Sequence, residues 1–175
     1  MLQVKVQKIT TDDIAEVFAL ETLVHPNHHW SKESFYNELA NNLAYYYCIK
    51  DENNKILAYI GFWLIVDESH ITTLAVHPDY RERQLAQILL IQMINICYKN
   101  MVKYITLEVR ESNLSAIMLY EKFLFESIGM RKKYYQDNGE NAIIMFTQNI
   151  WYDKFKINFK ERKSAITKTA VSYDE

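Results

Sequence analysis

With 175 residues, 49% of them hydrophobic and 24% charged, the chain has the length and composition of one globular domain around one core, which argues against a disordered or fibrous chain. Its formal net charge of -2 lacks the basic surplus that nucleic-acid binders use to neutralise phosphates, so strong nucleic-acid binding is not expected. No apolar run approaches the ~20 residues of a membrane-crossing helix, and Cys48 and Cys97 stand too far apart for a C-x-x-C or metal spacing, so they read as buried free thiols in a reducing compartment.

Residues 4–9 alternate as an edge strand does, and Thr11, Asp12 and Asp13 then offer side-chain acceptors to cap a helix through Ile14, Val17, Phe18 and Leu20. A polar turn with His25, His28, His29 and Trp30 precedes Ser31 and a second helix over 32–41. Three strands are predicted next, over 43–50, 56–66 and 70–76, joined by short polar turns that favour antiparallel pairing. Pro78 and Asp79 end the third, and Leu85, Ile88, Leu89, Met93 and Ile96 fall at helical spacing up to about residue 99. Residues 104–110 alternate with Ile105, Leu107 and Val109 on one face and Thr106 and Glu108 on the other. Ser112 or Asn113 caps a helix through Ala116, Ile117 and Tyr120. Strands near 126–135 and 142–147 are joined as a hairpin by Gln136, Asp137, Asn138 and Gly139. The pattern yields a mixed α/β domain over 1–150. Residues 151–175 lose apolar periodicity and carry six Lys or Arg between 154 and 168 against Glu161 alone, which reads as a solvated, locally basic tail or a weak contact with ribosome or RNA.

Two places carry candidate chemistry. The chain leaves a strand at His77, bends, and enters a helix whose first amides are unpaired, so a pyrophosphate can lie against residues 82–87 with Arg81 and Arg83 adding charge. On spacing alone a Pro-Asp bend before a helix is usually only a bend. Further on, Asn113 and Tyr120 lie seven residues apart, two turns along one helix face, with Glu108 near the end of the strand before it. Read without further help, these are a helix cap, a core aromatic and a surface carboxylate. The histidines at 25, 28 and 29 lack a thiol or carboxylate at a metal-binding spacing and read as a loop shaping a groove; His70 and His77 read as capping strand ends.

The segment Arg81-Glu82-Arg83-Gln84-Leu85-Ala86 resembles the coenzyme-binding signature of the GCN5-related N-acetyltransferase (GNAT) superfamily, with Gln84 standing where the signature has its middle glycine. That departure implies weakened coenzyme binding or a loop forced outward, unless the Gln84 side chain points to solvent. Residues 107–125, with 131–135 and 141–145, resemble the bacterial RimI group, which acetylates the N-terminal alanine of a small-subunit ribosomal protein. Phe62-Trp63 and Tyr134-Tyr135-Gln136-Asp137 look most like the cyanobacterial and plastid versions, and Leu124 occupies a second place where glycine is usual. The resemblance covers about residues 5–148.

It implies a GNAT fold, a mostly antiparallel sheet splayed at its middle strands and flanked by helices, acting without metal on acetyl-CoA and a protein N-terminus. Glu108 falls on the general base and Tyr120 on the general acid. Coenzyme contacts fall on Leu74, Ala75, Val76, Glu82, Arg83, Gln84, Leu85, Ala86, Gln87 and Asn113, with the Val76 N–H as oxyanion donor. The resemblance further implies a ribosomal-protein acceptor, no membrane partner, a monomer or weak dimer, and a bacterial cytoplasm or plastid stroma as its setting. Two competing readings are a related enzyme acting on a small amine or polyamine, and a catalytically weakened coenzyme-A-binding module.

Overall fold

The protein is described by a computed structural model over residues 1–27 and 29–174. In β1 (Leu2–Lys8), Val4 and Val6 are buried while Gln3 and Lys5 face water, the alternation of a half-covered strand. The Thr10 N–H donates to the Asp13 carboxylate at 2.9 Å and leads the chain into α1 (Ile14–Val24). The helix α2 (Lys32–Leu39) begins where the Ser31 hydroxyl accepts the Ser34 N–H at 3.0 Å. Strands β2 (Ala44–Lys50), β3 (Ile56–Ile65) and β4 (Glu68–Val76) then form an antiparallel meander, as their short turns require. The helix α3 (Leu85–Lys99) carries the chain across to β5 (Tyr104–Arg110), which runs parallel to β4. After α4 (Leu114–Lys122), β6 (Phe125–Arg131) and β7 (Ala142–Thr147) pair as a hairpin with β7 lying against β5. The strand β6 stops short of residue 135 because Lys133 takes a left-handed φ of 51°.

The expected solvated tail is corrected. Residues after 150 form α5 (Asp153–Ser164) and β8 (Thr169–Tyr173), and β8 pairs in parallel with β1, Leu2 opposite Thr169. Phe155 and Phe159, one turn apart, are buried in the main core, and the Trp151 indole donates to the Val102 carbonyl at 2.8 Å. Two aromatic anchors and one nonlocal strand pairing are enough to fold a segment whose average composition is polar.

Among the described residues the sheet has eight strands in the order β6-β7-β5-β4-β3-β2-β1-β8. One face packs on α1 and α2, with Val17, Leu20, Phe35 and Tyr59 in one cluster; the other packs on α3 and α5, with Leu57, Phe62, Leu89 and Phe159. No helix among the described residues is long and apolar enough to cross a membrane.

The feature that makes the site is a parting of two strands. The strands β4 and β5 pair only from Glu68 opposite Tyr104 to Ile71 opposite Leu107, although both run on beyond it. At that point the register with β3 slips, Gly61 facing Thr73 and Phe62 facing Ile71, so Thr72 is an extra residue in β4. A bulge bends its strand, and here it turns β4 away from β5.

Candidate active site

A cavity of about 530 Å³ opens where β4 and β5 part. The strand β4 lines it from His70 to Leu74, β5 from Leu107 to Arg110, α4 through Asn113, Ala116, Leu119 and Tyr120, and Tyr134 and Tyr135 close one side. Glu21, His25, Trp30 and Trp63 stand on its wall as well.

Glu108 reaches the cavity because β5 alternates: Ile105, Leu107 and Val109 are at most 5% exposed in the core, which turns Glu108 the other way. Its Oε2 lies 3.0 Å from His70 Nε2 and its Oε1 3.3 Å from Arg131 Nη2. The parallel register sets His70 opposite Thr106, so Glu108 is its diagonal neighbour on the same face. The hydrogen bond from His70 lowers the Glu108 pKa against the opposing effect of burial, and the charges of His70 and Arg131 lower it further. Glu108 is therefore an anion at neutral pH.

Tyr120 is 6% exposed, its ring tilted against Phe125 at 5.5 Å. Burial, with Tyr135 nearby, pushes its hydroxyl well above the ordinary phenol value, so it keeps its proton through neutral pH. Asn113 is the N-cap of α4, its Oδ1 accepting from the Ala116 N–H at 3.2 Å and the Ser115 hydroxyl at 3.1 Å. The turn after β6 is pinned over the cavity by Arg110, which bonds Asp137 at 2.9 Å and Glu140 at 3.2 Å and lies 3.8 Å from the Tyr135 ring centre.

The expected coenzyme residues divide. Leu74 and Asn113 share the cavity with Glu108 and Tyr120. Ala75 is 2% exposed and packs into the cluster under α1 and α2. The His77 N–H bonds Leu57 O of β3 at 2.8 Å, so by strand alternation the Val76 N–H points to the opposite edge, which β5 has left. Glu82, Arg83, Gln84, Leu85, Ala86 and Gln87 lie outside the cavity wall, in the turn before α3 and its first helical turn; Leu85 is a core residue, 1% exposed. Among the described residues no side chain caps α3, whose first intrahelical bond is Ile88 N–H to Gln84 O at 3.0 Å, so the amides of 85–87 lack the helical partner. Gln84 sits at a left-handed φ of 66°, and Leu124 at 61°, so both positions where glycine is usual carry the conformation glycine favours. The Gln84 side chain does not point to solvent. Its Nε2 donates to the Ala165 carbonyl at 2.7 Å and its Oε1 accepts from the N–H groups of Thr167 and Lys168.

His70 is corrected from a strand-end cap to the partner of Glu108, a role set by the β4–β5 register, which no local pattern encodes. His77 does cap, its Nδ1 accepting from the Asp79 N–H at 3.3 Å. Of the histidine turn, His25 and Trp30 line the cavity, His29 packs edge-on to Phe18 at 5.6 Å, and His28 lies outside the described residues. Glu21 was also missed: it is 2% exposed and accepts from the Tyr59 hydroxyl at 2.5 Å and the Trp30 N–H at 3.3 Å.

The cleft where β4 parts from β5 thus brings together an anionic carboxylate and a protonated phenol, a pair suited to acid–base catalysis. The acetyltransferase (GNAT) family model matches residues 12–125, and the chain belongs to that family. It is an acetyl-CoA-dependent N-acetyltransferase. A Bacillus subtilis protein provisionally named a ribosomal protein bS18-alanine N-acetyltransferase is 36% identical over 141 residues, 81% of this chain and 93% of the relative. The Escherichia coli ribosomal protein bS18-alanine N-acetyltransferase is 31% identical over 142 residues, 80% of this chain and 94% of its own. The crystal structure of the Escherichia coli ribosomal-protein-S18-alanine N-acetyltransferase superposes with a TM-score of 0.76 at 28% identity, covering 83% of this chain and 94% of that one.

Proposed function

We propose that this chain acetylates the N-terminal α-amine of a protein, with ribosomal protein bS18 and its N-terminal alanine as acceptor, by direct attack of the amine on the thioester of acetyl-CoA. The observation that carries the reading is the meeting of Glu108, Tyr120 and Asn113 on one cavity where β4 and β5 part. The relatives named for that reaction support the acceptor, and their bacterial origin supports a cytoplasmic setting.

An α-amine has a pKa near ~8, so a modest neutral fraction is present at physiological pH. Glu108, held anionic by His70 and Arg131, attracts the amine and orders it. A lowered pKa makes it a poor base toward a free ammonium. It suits the later proton, because nitrogen becomes strongly acidic as its bond to the carbonyl carbon forms, and Glu108 takes that proton directly or through one water. The Val76 N–H, at the edge β5 has left, donates to the carbonyl oxygen as charge gathers on it. As the C–S bond breaks, Tyr120 donates a hydrogen bond to the developing thiolate and passes it a proton, and the proton that Glu108 took from the amine returns to Tyr120 through water, so coenzyme A leaves as the thiol and both side chains are restored. The amides of 85–87 and Asn113 hold the coenzyme, the former at its pyrophosphate.

The test is turnover of acetyl-CoA with peptides beginning in alanine, compared with spermidine at equal concentration. Higher kcat/KM on the peptide is expected; no turnover across a peptide panel overturns the reading.

A further inference from the structure

The turn before α3 holds two left-handed positions without a glycine, φ 59° at Glu82 and 66° at Gln84. Side-chain-bearing residues keep such a conformation only where the surroundings over-determine it. Here the surroundings are residues 165–169. Gln84 bonds Ala165 O at 2.7 Å and the N–H groups of Thr167 and Lys168 at 2.9 Å each. Lys168 Nζ donates to Glu82 O at 3.2 Å, and the Thr169 hydroxyl donates to Arg83 O at 2.7 Å. All three residues of the turn are thus held by the link between α5 and β8. The link is itself anchored at both ends: Phe159 of α5 packs on Tyr98 of α3 at 5.7 Å, and β8 pairs with β1 from Thr169 onward.

We propose that Gln84 and residues 165–169 form a strap that stands in for the missing glycine, fixing the turn so that the first amides of α3 face the coenzyme's pyrophosphate. The proposal rests on the reading of that turn as the phosphate site of acetyl-CoA. Gln84 and Thr169 are positioning residues: they act through the backbone of 82–87. Releasing the strap lets the turn sample other conformations, and the apparent Kd rises by the inverse of the fraction still competent.

The experiment is calorimetric titration of acetyl-CoA into the full chain and into Gln84→Ala, Gln84→Gly and Thr169→Val, with kcat measured at saturating acetyl-CoA. Gln84→Ala, which keeps a Cβ and loses the three hydrogen bonds of the Gln84 side chain, is expected to raise Kd about tenfold. Gln84→Gly regains most of that affinity because glycine takes the left-handed conformation unaided. Thr169→Val, which deletes one donor, raises Kd less, in the same direction, and in each variant the KM for acetyl-CoA rises by more than kcat falls. Parental affinity in Gln84→Ala, or Gln84→Gly binding as weakly as Gln84→Ala, overturns the strap. If Gln84→Ala does not fold, parental affinity in Thr169→Val does so instead. A parent chain that binds no acetyl-CoA overturns the phosphate site and the strap together, whereas parental binding that Gln84→Ala leaves unchanged overturns the strap alone.

Discussion

Replacing Glu108 by Gln keeps the side chain's size and removes its charge, which separates its proposed chemistry from its packing. General-base assistance is worth roughly 10²–10⁴-fold in rate, so kcat/KM for an alanine-starting peptide is expected to fall by that factor. Affinity for acetyl-CoA should change less than about threefold, since the amides of 85–87, proposed to hold its pyrophosphate, lie outside this cavity. The substitution also breaks two charge contacts, at 3.0 Å to His70 and 3.3 Å to Arg131. Glu108 is 13% exposed but His70 is 29% and Arg131 55% exposed, so solvent screening holds the stability loss to about 1–2 kcal/mol, visible as a small drop in Tm. Steady-state kinetics and acetyl-CoA calorimetry on the same preparation check both parts. Parental turnover with weakened acetyl-CoA binding would refute the assignment of Glu108 as base.

Tyr120→Phe should cut kcat by about 10²–10³-fold with little change in peptide KM, read from saturation kinetics, because it removes the hydroxyl that carries the proton and keeps the ring contact with Phe125. His70→Ala deletes the largest influence lowering the Glu108 pKa, so the carboxyl protonates at higher pH and the acidic limb of the kcat/KM profile moves upward. The same sign holds for stability: a carboxylate with a lowered native pKa stabilises the fold above its unfolded value and loses that contribution as pH falls through the native one, so His70→Ala should flatten the acid side of a stability profile. Phe159→Ala removes a side chain 7% exposed at the α3–α5 contact and should cost about 3–5 kcal/mol in denaturant unfolding, while weakening acetyl-CoA binding through the released strap.

Much of the frame follows from local pattern. The alternation of 104–110 gives both the strand and the direction of Glu108, and the two-turn spacing of Asn113 and Tyr120 brings them to one face. What local pattern does not carry is register. The pairing of His70 with Glu108, the parting of β4 from β5 at Ile71 and the bulge at Thr72 depend on which residue lies opposite which across strands distant in sequence. The C-terminal segment failed for the same reason: Phe155 and Phe159 give a narrow apolar stripe among lysines, and β8 is a strand only because β1 offers it an edge. Gln84 looked like a defect in a phosphate-binding turn because its partners lie 81 to 84 residues away.

Incubation of the purified chain with isotope-labelled acetyl-CoA and intact ribosomal protein bS18, followed by mass-spectrometric mapping of the labelled atom, tests the central claim most directly. Label on the α-amine of the N-terminal alanine, lost with Glu108→Gln, is the expected result. Label confined to lysine side chains, or none while spermidine is acetylated readily, would contradict it.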